Sequence, residues 1–354
     1  MIRIVILDWG DTVMRNLPYP GPMARWPRVE AVPGVAAALA ALQGHCRLVL
    51  ATNAADSGAA LVREALARVG LEGHFDAVLT ARELGVRKPE PAFFAAVLRE
   101  SGTAAAEAAV VGDDYPVDVA GARALGLRAV WLNPGRAPCP SPHPQYDAEL
   151  QTMAELPAAL ATMHLPGVAE CMELLAGQDA PPPLVAHVQA VAAVAFRLAE
   201  RLRGLGRKVD PLLAHRGGLV HDLGKVTARR LGRDHGELGA EILRAQGYPQ
   251  LAGIAGRHLM FTILEPTCAP ATWEEKLVFY ADKIVEGDRV VTLDERLQAL
   301  CGRYPENAAR MRACLPALRA LEAEIAGALG IPGPQLPRIL QAGSQGAQPA
   351  ESAS

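Results

Sequence analysis

The pentapeptide His221-Asp222-Leu223-Gly224-Lys225 brings an imidazole, a carboxylate and an ammonium group into five consecutive residues. Those groups suit a site that holds a metal while it engages a phosphate. His187, His235, His258 and Asp282 are scattered in the chain, yet each keeps step with an apolar stripe of helical period. His187 is in phase with Leu184 and Val191, and His258 follows Leu251 and Ile254 on one face. Asp234 and Glu237 form a helix-start pair that sets His235 a turn before Leu238, while Asp282 lies one turn from Val278. A lone inward histidine is ordinarily a hydrogen-bonded core residue. Burying several unpaired imidazoles and carboxylates costs on the order of several kcal/mol each, which one or two divalent metals would offset together. Four imidazoles and two carboxylates suit iron, manganese, cobalt or zinc better than Ca²⁺ or a lone Mg²⁺, and the lack of cysteine in the set argues against a structural zinc site. His215 stands six residues before His221, on another helical face, and is left out of the set.

A second set begins at Asp8 and continues through Thr52-Asn53, Lys88-Pro89 and Gly112-Asp113-Asp114, with Asp118 beyond. Its chemistry is phosphoryl transfer. A carboxylate attacks phosphorus, a hydroxyl and an ammonium hold the equatorial oxygens, and further carboxylates bind Mg²⁺.

The elements that must position these residues differ between the two halves. Residues 2–7, 46–51, 75–79, 108–111 and 128–132 read as buried strands, and residues 35–42, 57–69, 91–100 and 117–125 as helices between them. Such alternation predicts an α/β doubly wound parallel sheet, Rossmann-like, whose ligands gather at the carboxyl ends of the strands. The polar residues of the second set fall at those ends. After a proline-rich excursion over 133–145 and a short strand and helix, the strand signal vanishes and an all-helical half follows. The expected division is 1–164, 165–330 and a disordered tail over 331–354. With 354 residues there is chain enough for two cores. The net charge of -3 offers no basic footprint, so nucleic acid is not expected and phosphate is expected as a small metabolite or nucleotide. No two of the six cysteines are at CxxC spacing, and no apolar run is taken to approach membrane-spanning length, so a cytoplasmic protein without a membrane partner is expected. The oligomeric state is unknown.

The first half resembles the haloacid dehalogenase superfamily, on the ordered motifs Leu7-Asp8-Trp9-Gly10-Asp11-Thr12, Ala51-Thr52-Asn53, Arg87-Lys88-Pro89 and Val111-Gly112-Asp113-Asp114 with Asp118. The resemblance implies Asp8 as nucleophile and Mg²⁺ ligand, Thr52 and Lys88 as phosphate holders, and Asp113 as a Mg²⁺ ligand supported by Asp114 or Asp118. One departure matters. Such phosphatases place an acid two residues after the nucleophile, and here that residue is Gly10. Loss of a positioned acid typically costs on the order of 10²–10⁴ in rate. The intervals after Asp8 and Thr52 leave room for only a minimal cap.

The second half resembles the HD-domain superfamily of metal-dependent phosphohydrolases, on His187, His221-Asp222-Leu223-Gly224-Lys225 and Ala281-Asp282-Lys283. The resemblance implies a metal site of His187, His221, Asp222 and Asp282, with His235 and His258 where dinuclear members carry two more ligands. One or two divalent transition metals, iron or manganese, would acidify a water that attacks phosphorus, with Lys225 on a substrate oxygen. Arg216, Arg229, Arg230, Arg233 and Arg257 flank these segments and are candidates for the further phosphates of a nucleotide. The expected activity is hydrolysis of a phosphate mono- or diester. Alternatives of other classes are a di-iron oxygenase on the same ligands, or a sensor that only binds a phosphorylated metabolite.

Overall fold

The computed structural model describes residues 2–54 and 56–345. The chain forms two compact units, Met1–Pro138 with Gln145–His164, and Cys139–Pro144 with Leu165–Ser354.

The first unit is built on β1 (Ile4–Leu7), β2 (Arg47–Thr52), β3 (Ala77–Thr80), β4 (Ala108–Gly112), β5 (Arg128–Leu132) and β6 (Ala148–Leu150). Their order is β3-β2-β1-β4-β5-β6, and every pairing is parallel. Every residue of β1 is buried, as both faces of a parallel sheet require. Helices Val35–Leu42, Ala59–Ala67 and Pro91–Ser101 link the strands. The helix expected at 117–125 is instead a π-helical turn, Tyr115–Ala120, run into the short helix Gly121–Arg123. Asp114 caps that turn by accepting from the Val117 N–H at 3.0 Å. In register, Leu7 is opposite Leu50 of β2 and Val111 of β4. Asp8, Thr52 and Asp113 therefore emerge on one sheet edge, where the strand order reverses about β1.

In the second unit the helix Pro182–Gly204 is central, with Pro211–Val220 and Trp273–Lys283 packed against it. The 23 residues of Pro182–Gly204 have a mean hydropathy of 1.3 over their most apolar window, long and apolar enough by length and composition to cross a membrane. This corrects the expectation that no run approaches that length. Here Val191, Leu198 and Leu202 are fully buried, as in a core helix. Nor is the half wholly helical: β7 (Val285–Glu286) and β8 (Arg289–Val290) make a two-stranded hairpin. The expected tail is also corrected in part. Leu336–Gln345 is helical, and Leu336 and Leu340 join the core that contains Val191, Leu198, Phe279 and Ile284; residues 346–354 lie outside the described residues. Part of the proline-rich excursion, Cys139–Pro144, belongs to this second unit. There the Cys139 N–H donates to Glu200 and the Pro144 carbonyl accepts from Arg216.

Candidate metal centres

In the second unit, the helix Pro211–Val220 ends at His221, whose Nδ1 is 2.8 Å from the Gly218 carbonyl. A carbonyl only accepts, so Nδ1 carries the proton and Nε2 presents a bare lone pair. Two other rings are set in the same way. His258, after the helix Pro249–Arg257, has Nδ1 2.6 Å from the Ala255 carbonyl. His187 has Nδ1 3.0 Å from the carbonyl of Gly287, in the turn between β7 and β8. His235 opens the helix His235–Ala245, capped by Asp234 accepting from the Glu237 N–H at 2.9 Å. Gly224 permits the close approach: a Cβ there would be 2.5 Å from the His235 carbonyl and 2.6 Å from the Gly239 nitrogen.

All six expected ligands converge. His187 Nε2 is 3.0 Å from Asp282 Oδ1, and His221 Nε2 is 3.6 Å from Asp222 and 3.7 Å from Asp282. His235 and His258 each place Nε2 3.3 Å from Asp222 Oδ1 and lie 3.2 Å from one another. Two overlapping groups, His187/His221/Asp282 and His221/Asp222/His258, offer ligand atoms within 4.8 Å and share His221. Bare imidazole nitrogens facing carboxylates are acceptors facing acceptors, and the fully buried His221 Nε2 has no hydrogen-bond partner. A divalent cation satisfies that arrangement, so the residues fit one. Burial opposes ionisation of Asp222, yet its carboxyl is held well below its usual range, the Lys225 ammonium being among the groups that outweigh burial. Burial likewise opposes ionisation of Asp282, and the Lys283 ammonium leads the groups that outweigh it and hold that carboxyl well below its usual range. Burial pushes His258 down to about 4, which keeps its ring neutral and able to ligate. Lys225 reaches the site from a half-exposed position and donates to Asp222 Oδ2 at 2.6 Å.

The first unit gathers a harder donor set. Asp8, Asp113 and Asp118 offer carboxylate oxygens within 4.8 Å of one another. Lys88 donates to Asp8, and to Asp118 at 2.7 Å. Burial alone would lower Lys88, but the two carboxylates outweigh it and raise it. Asn53 fixes the Lys88 backbone from both sides, donating to its carbonyl at 2.9 Å and accepting from its N–H at 2.8 Å. Thr52 Oγ1 accepts from the Ala54 N–H at 3.1 Å and lines the same cavity. Gly112 leaves the space that the Asp118 side chain fills. Burial pushes Asp113 up to about 6, opposed by the Thr12 hydroxyl and reinforced by Asp8. It pushes Asp118 up to about 7, with Lys88 opposing. Three crowded carboxylates of this kind fit a hard cation such as Mg²⁺. Of the two expected supporting carboxylates, Asp118 joins the group and Asp114 serves as the cap.

Residues 6–126 match the family of haloacid dehalogenase-like hydrolases, and residues 184–287 match the HD domain. The chain is a fusion of a haloacid dehalogenase-like hydrolase domain and an HD domain. An uncharacterised protein of Methanocaldococcus jannaschii is 36% identical over 135 residues, covering 35% of this chain and 79% of that protein. The phosphoserine phosphatase of Thermus thermophilus is 45% identical over 91 residues, 26% of this chain and 35% of that enzyme. The chain thus spans about a third of that phosphatase's length. A solved 2-haloacid dehalogenase from Pseudomonas syringae aligns over 46% of this chain and 99% of its own at 23% identity, with a TM-score of 0.39. Both families are metal-dependent.

Two further side chains, to which the sequence motifs assign no role, pack against the ligands. Lys283 is buried, donates to Asp282, and donates to the His258 carbonyl at 2.9 Å, tying one ligand to the backbone of another. Its signal was its place beside Asp282. Arg296, also buried, pairs with Glu286 and comes within 3.8 Å of Asp282; its spacing in the sequence carries no signal. Four of the five arginines considered for extra phosphates are otherwise engaged. Arg216 is buried against the Pro144 and Pro166 carbonyls, while Arg230, Arg233 and Arg257 pair with Asp179, Glu241 and Glu275.

Proposed function

We propose that the HD domain hydrolyses a phosphate mono- or diester with one or two divalent transition metals, iron or manganese, held by His187, His221, Asp222, His235, His258 and Asp282. The observation that carries this reading is the buried, partnerless Nε2 of His221 among carboxylates. Metal bound there supplies an acidified water and offsets the negative charge of the phosphoryl group. The chain's own residues do the rest. The Gly218, Ala255 and Gly287 carbonyls keep three rings in the ligating tautomer, and Lys225 swings between Asp222 and a substrate oxygen at the exposed rim. The substrate is a small phosphorylated metabolite met in the cytoplasm, and nucleotides are the first class to assay.

In the haloacid dehalogenase-like domain, Asp8 is the nucleophile and Thr52 and Lys88 hold the phosphoryl oxygens. Asp8, Asp113 and Asp118 hold Mg²⁺. The phosphatase among the relatives supports this assignment for the first domain.

The test is a phosphoester panel on the full chain loaded with Mn²⁺ or Fe²⁺, together with His221→Ala, Lys225→Ala and Asp8→Asn. His221→Ala should abolish turnover at the HD site, and Lys225→Ala should lower kcat/KM by roughly 10–100-fold, the loss of one hydrogen bond to a charged group. Turnover that survives His221→Ala unchanged for every substrate would remove the hydrolase assignment from the HD site.

A further inference from the structure

The cavity beside Asp8, about 480 Å³, is lined by Gly10, Asn16, Asp56, Thr52, Lys88 and Asp113 among others. The resemblance to haloacid dehalogenase-like phosphatases puts the general acid two residues after the nucleophile, in the loop after β1, where this chain has Gly10. Residue 10 has no side chain, and its space is already taken. A Cβ there would lie 2.5 Å from Asn16 Nδ2 and 3.1 Å from Asn16 Oδ1. Asn16 is itself pinned by Asp11, donating its backbone N–H to Oδ1 at 2.9 Å and its Nδ2–H to Oδ2 at 3.0 Å. Asp11 has a left-handed backbone, φ 53°, and both its carboxylate oxygens face Asn16 rather than Asp8. The remaining carboxylates of the cavity are engaged too. Asp56 accepts from Ser57, Asp113 from Thr12, Asp114 from the Val117 N–H and Asp118 from Lys88. A carboxamide can donate a hydrogen bond to a departing oxygen, but it gives up no proton at neutral pH.

We infer that this site takes phosphoryl groups only from substrates whose leaving group departs as a stable anion, namely acyl phosphates and phosphoanhydrides, with the Asn16 amide steadying the departing oxygen. The inference rests on Asp8 being the nucleophile. In the first step an Asp8 carboxylate oxygen forms a bond to phosphorus, and the bond from phosphorus to the leaving oxygen breaks. Its electron pair stays with the departing carboxylate or phosphate, which needs no proton. In the second step water adds to phosphorus, the bond to Asp8 breaks with its electrons returning to the carboxylate, and the proton of the water passes to solvent. With no positioned base to draw off that proton, phosphorylated Asp8 accumulates.

The experiment uses the full chain in the His221→Ala background with Mg²⁺, comparing acetyl phosphate with an alkyl phosphate and weighing the acid-quenched protein for a phosphate adduct on the Asp8 peptide. The Asp8-dependent rate with acetyl phosphate should exceed that with the alkyl phosphate by on the order of 10²–10⁴, the usual worth of a general acid. The adduct should appear, and should vanish in Asp8→Asn. The double variant Gly10→Asp with Asn16→Gly, which clears the space, should narrow the gap by a similar factor; Asp56→Asn should leave it unchanged. Asp8-dependent rates within about tenfold of each other for the two substrates would overturn the inference while leaving Asp8 as nucleophile. Rates indifferent to Asp8→Asn, with no adduct, would overturn both.

Discussion

His221 Nε2 stands 3.6 Å from the Asp222 carboxylate and has no hydrogen-bond partner of its own. Two acceptors buried face to face repel, and a cation converts that repulsion into attraction. Adding Mn²⁺ should therefore raise the unfolding temperature of the protein, with a stabilisation of about 2.7 kcal/mol at a free metal concentration near 100 times Kd. His221→Ala should lose both the shift and the bound metal; elemental analysis showing equal metal in the two proteins would count against the site.

The Gly287 carbonyl sets the His187 tautomer from a residue at φ 62°. Gly287→Ala places a Cβ in the left-handed region at a cost of roughly 1–2 kcal/mol and should tilt that carbonyl. Metal affinity, read by titration, should weaken about 10–100-fold, as for lost partners of ligating histidines generally. Unchanged affinity would show that the hairpin turn has no part in ligand orientation.

Leu336 is fully buried in the core of the HD domain, beyond the matched stretch of 184–287. Leu336→Ala should cost about 2–5 kcal/mol in chemical denaturation, and truncation after residue 330 more. A truncated chain as stable as the whole would contradict the packing of the helix Leu336–Gln345.

His215 gives the second domain a pH dependence of calculable sign. Arg216 donates to its Nδ1 at 2.7 Å, so the ring proton is on Nε2 and is donated to His143 Nδ1 at 3.1 Å. Burial, with Arg216 and His143 adding to it, holds His215 well below its usual value of 6.5. Below that pH the unfolded chain binds a proton that the folded chain refuses, so stability falls as pH falls, by about 1.4 kcal/mol per unit from this group alone. Unfolding free energies measured between about pH 7.5 and 5.5 should show His215→Gln losing one proton's worth of slope. Parallel slopes in the two proteins would sink the assignment.

Much of this was legible in the residues. Ile4 to Leu7 is an unbroken apolar run because both sheet faces are covered, and His187, His258 and Asp282 kept helical phase because their helices bury one stripe. What escaped has a physical reason in each case. Strands of two residues carry no period, so the β7–β8 hairpin left no trace, although its turn positions a ligand. In the last helix, Leu336 and Leu340 are diluted by Gln, Gly, Ser and Ala, and composition won over a short apolar stripe. The fit of Asn16 over Gly10 is a contact across a loop with a left-handed residue, which no spacing rule anticipates.

The two buried lysines have a consequence for the charge of the sites. Lys88 bridges Asp8 and Asp118, and Lys283 joins Asp282 to the His258 backbone, so each carboxylate cluster carries a resident positive charge of its own. Part of the negative charge gathered at each site is thus offset by a side chain of the same domain, which lessens the repulsion among the carboxylates.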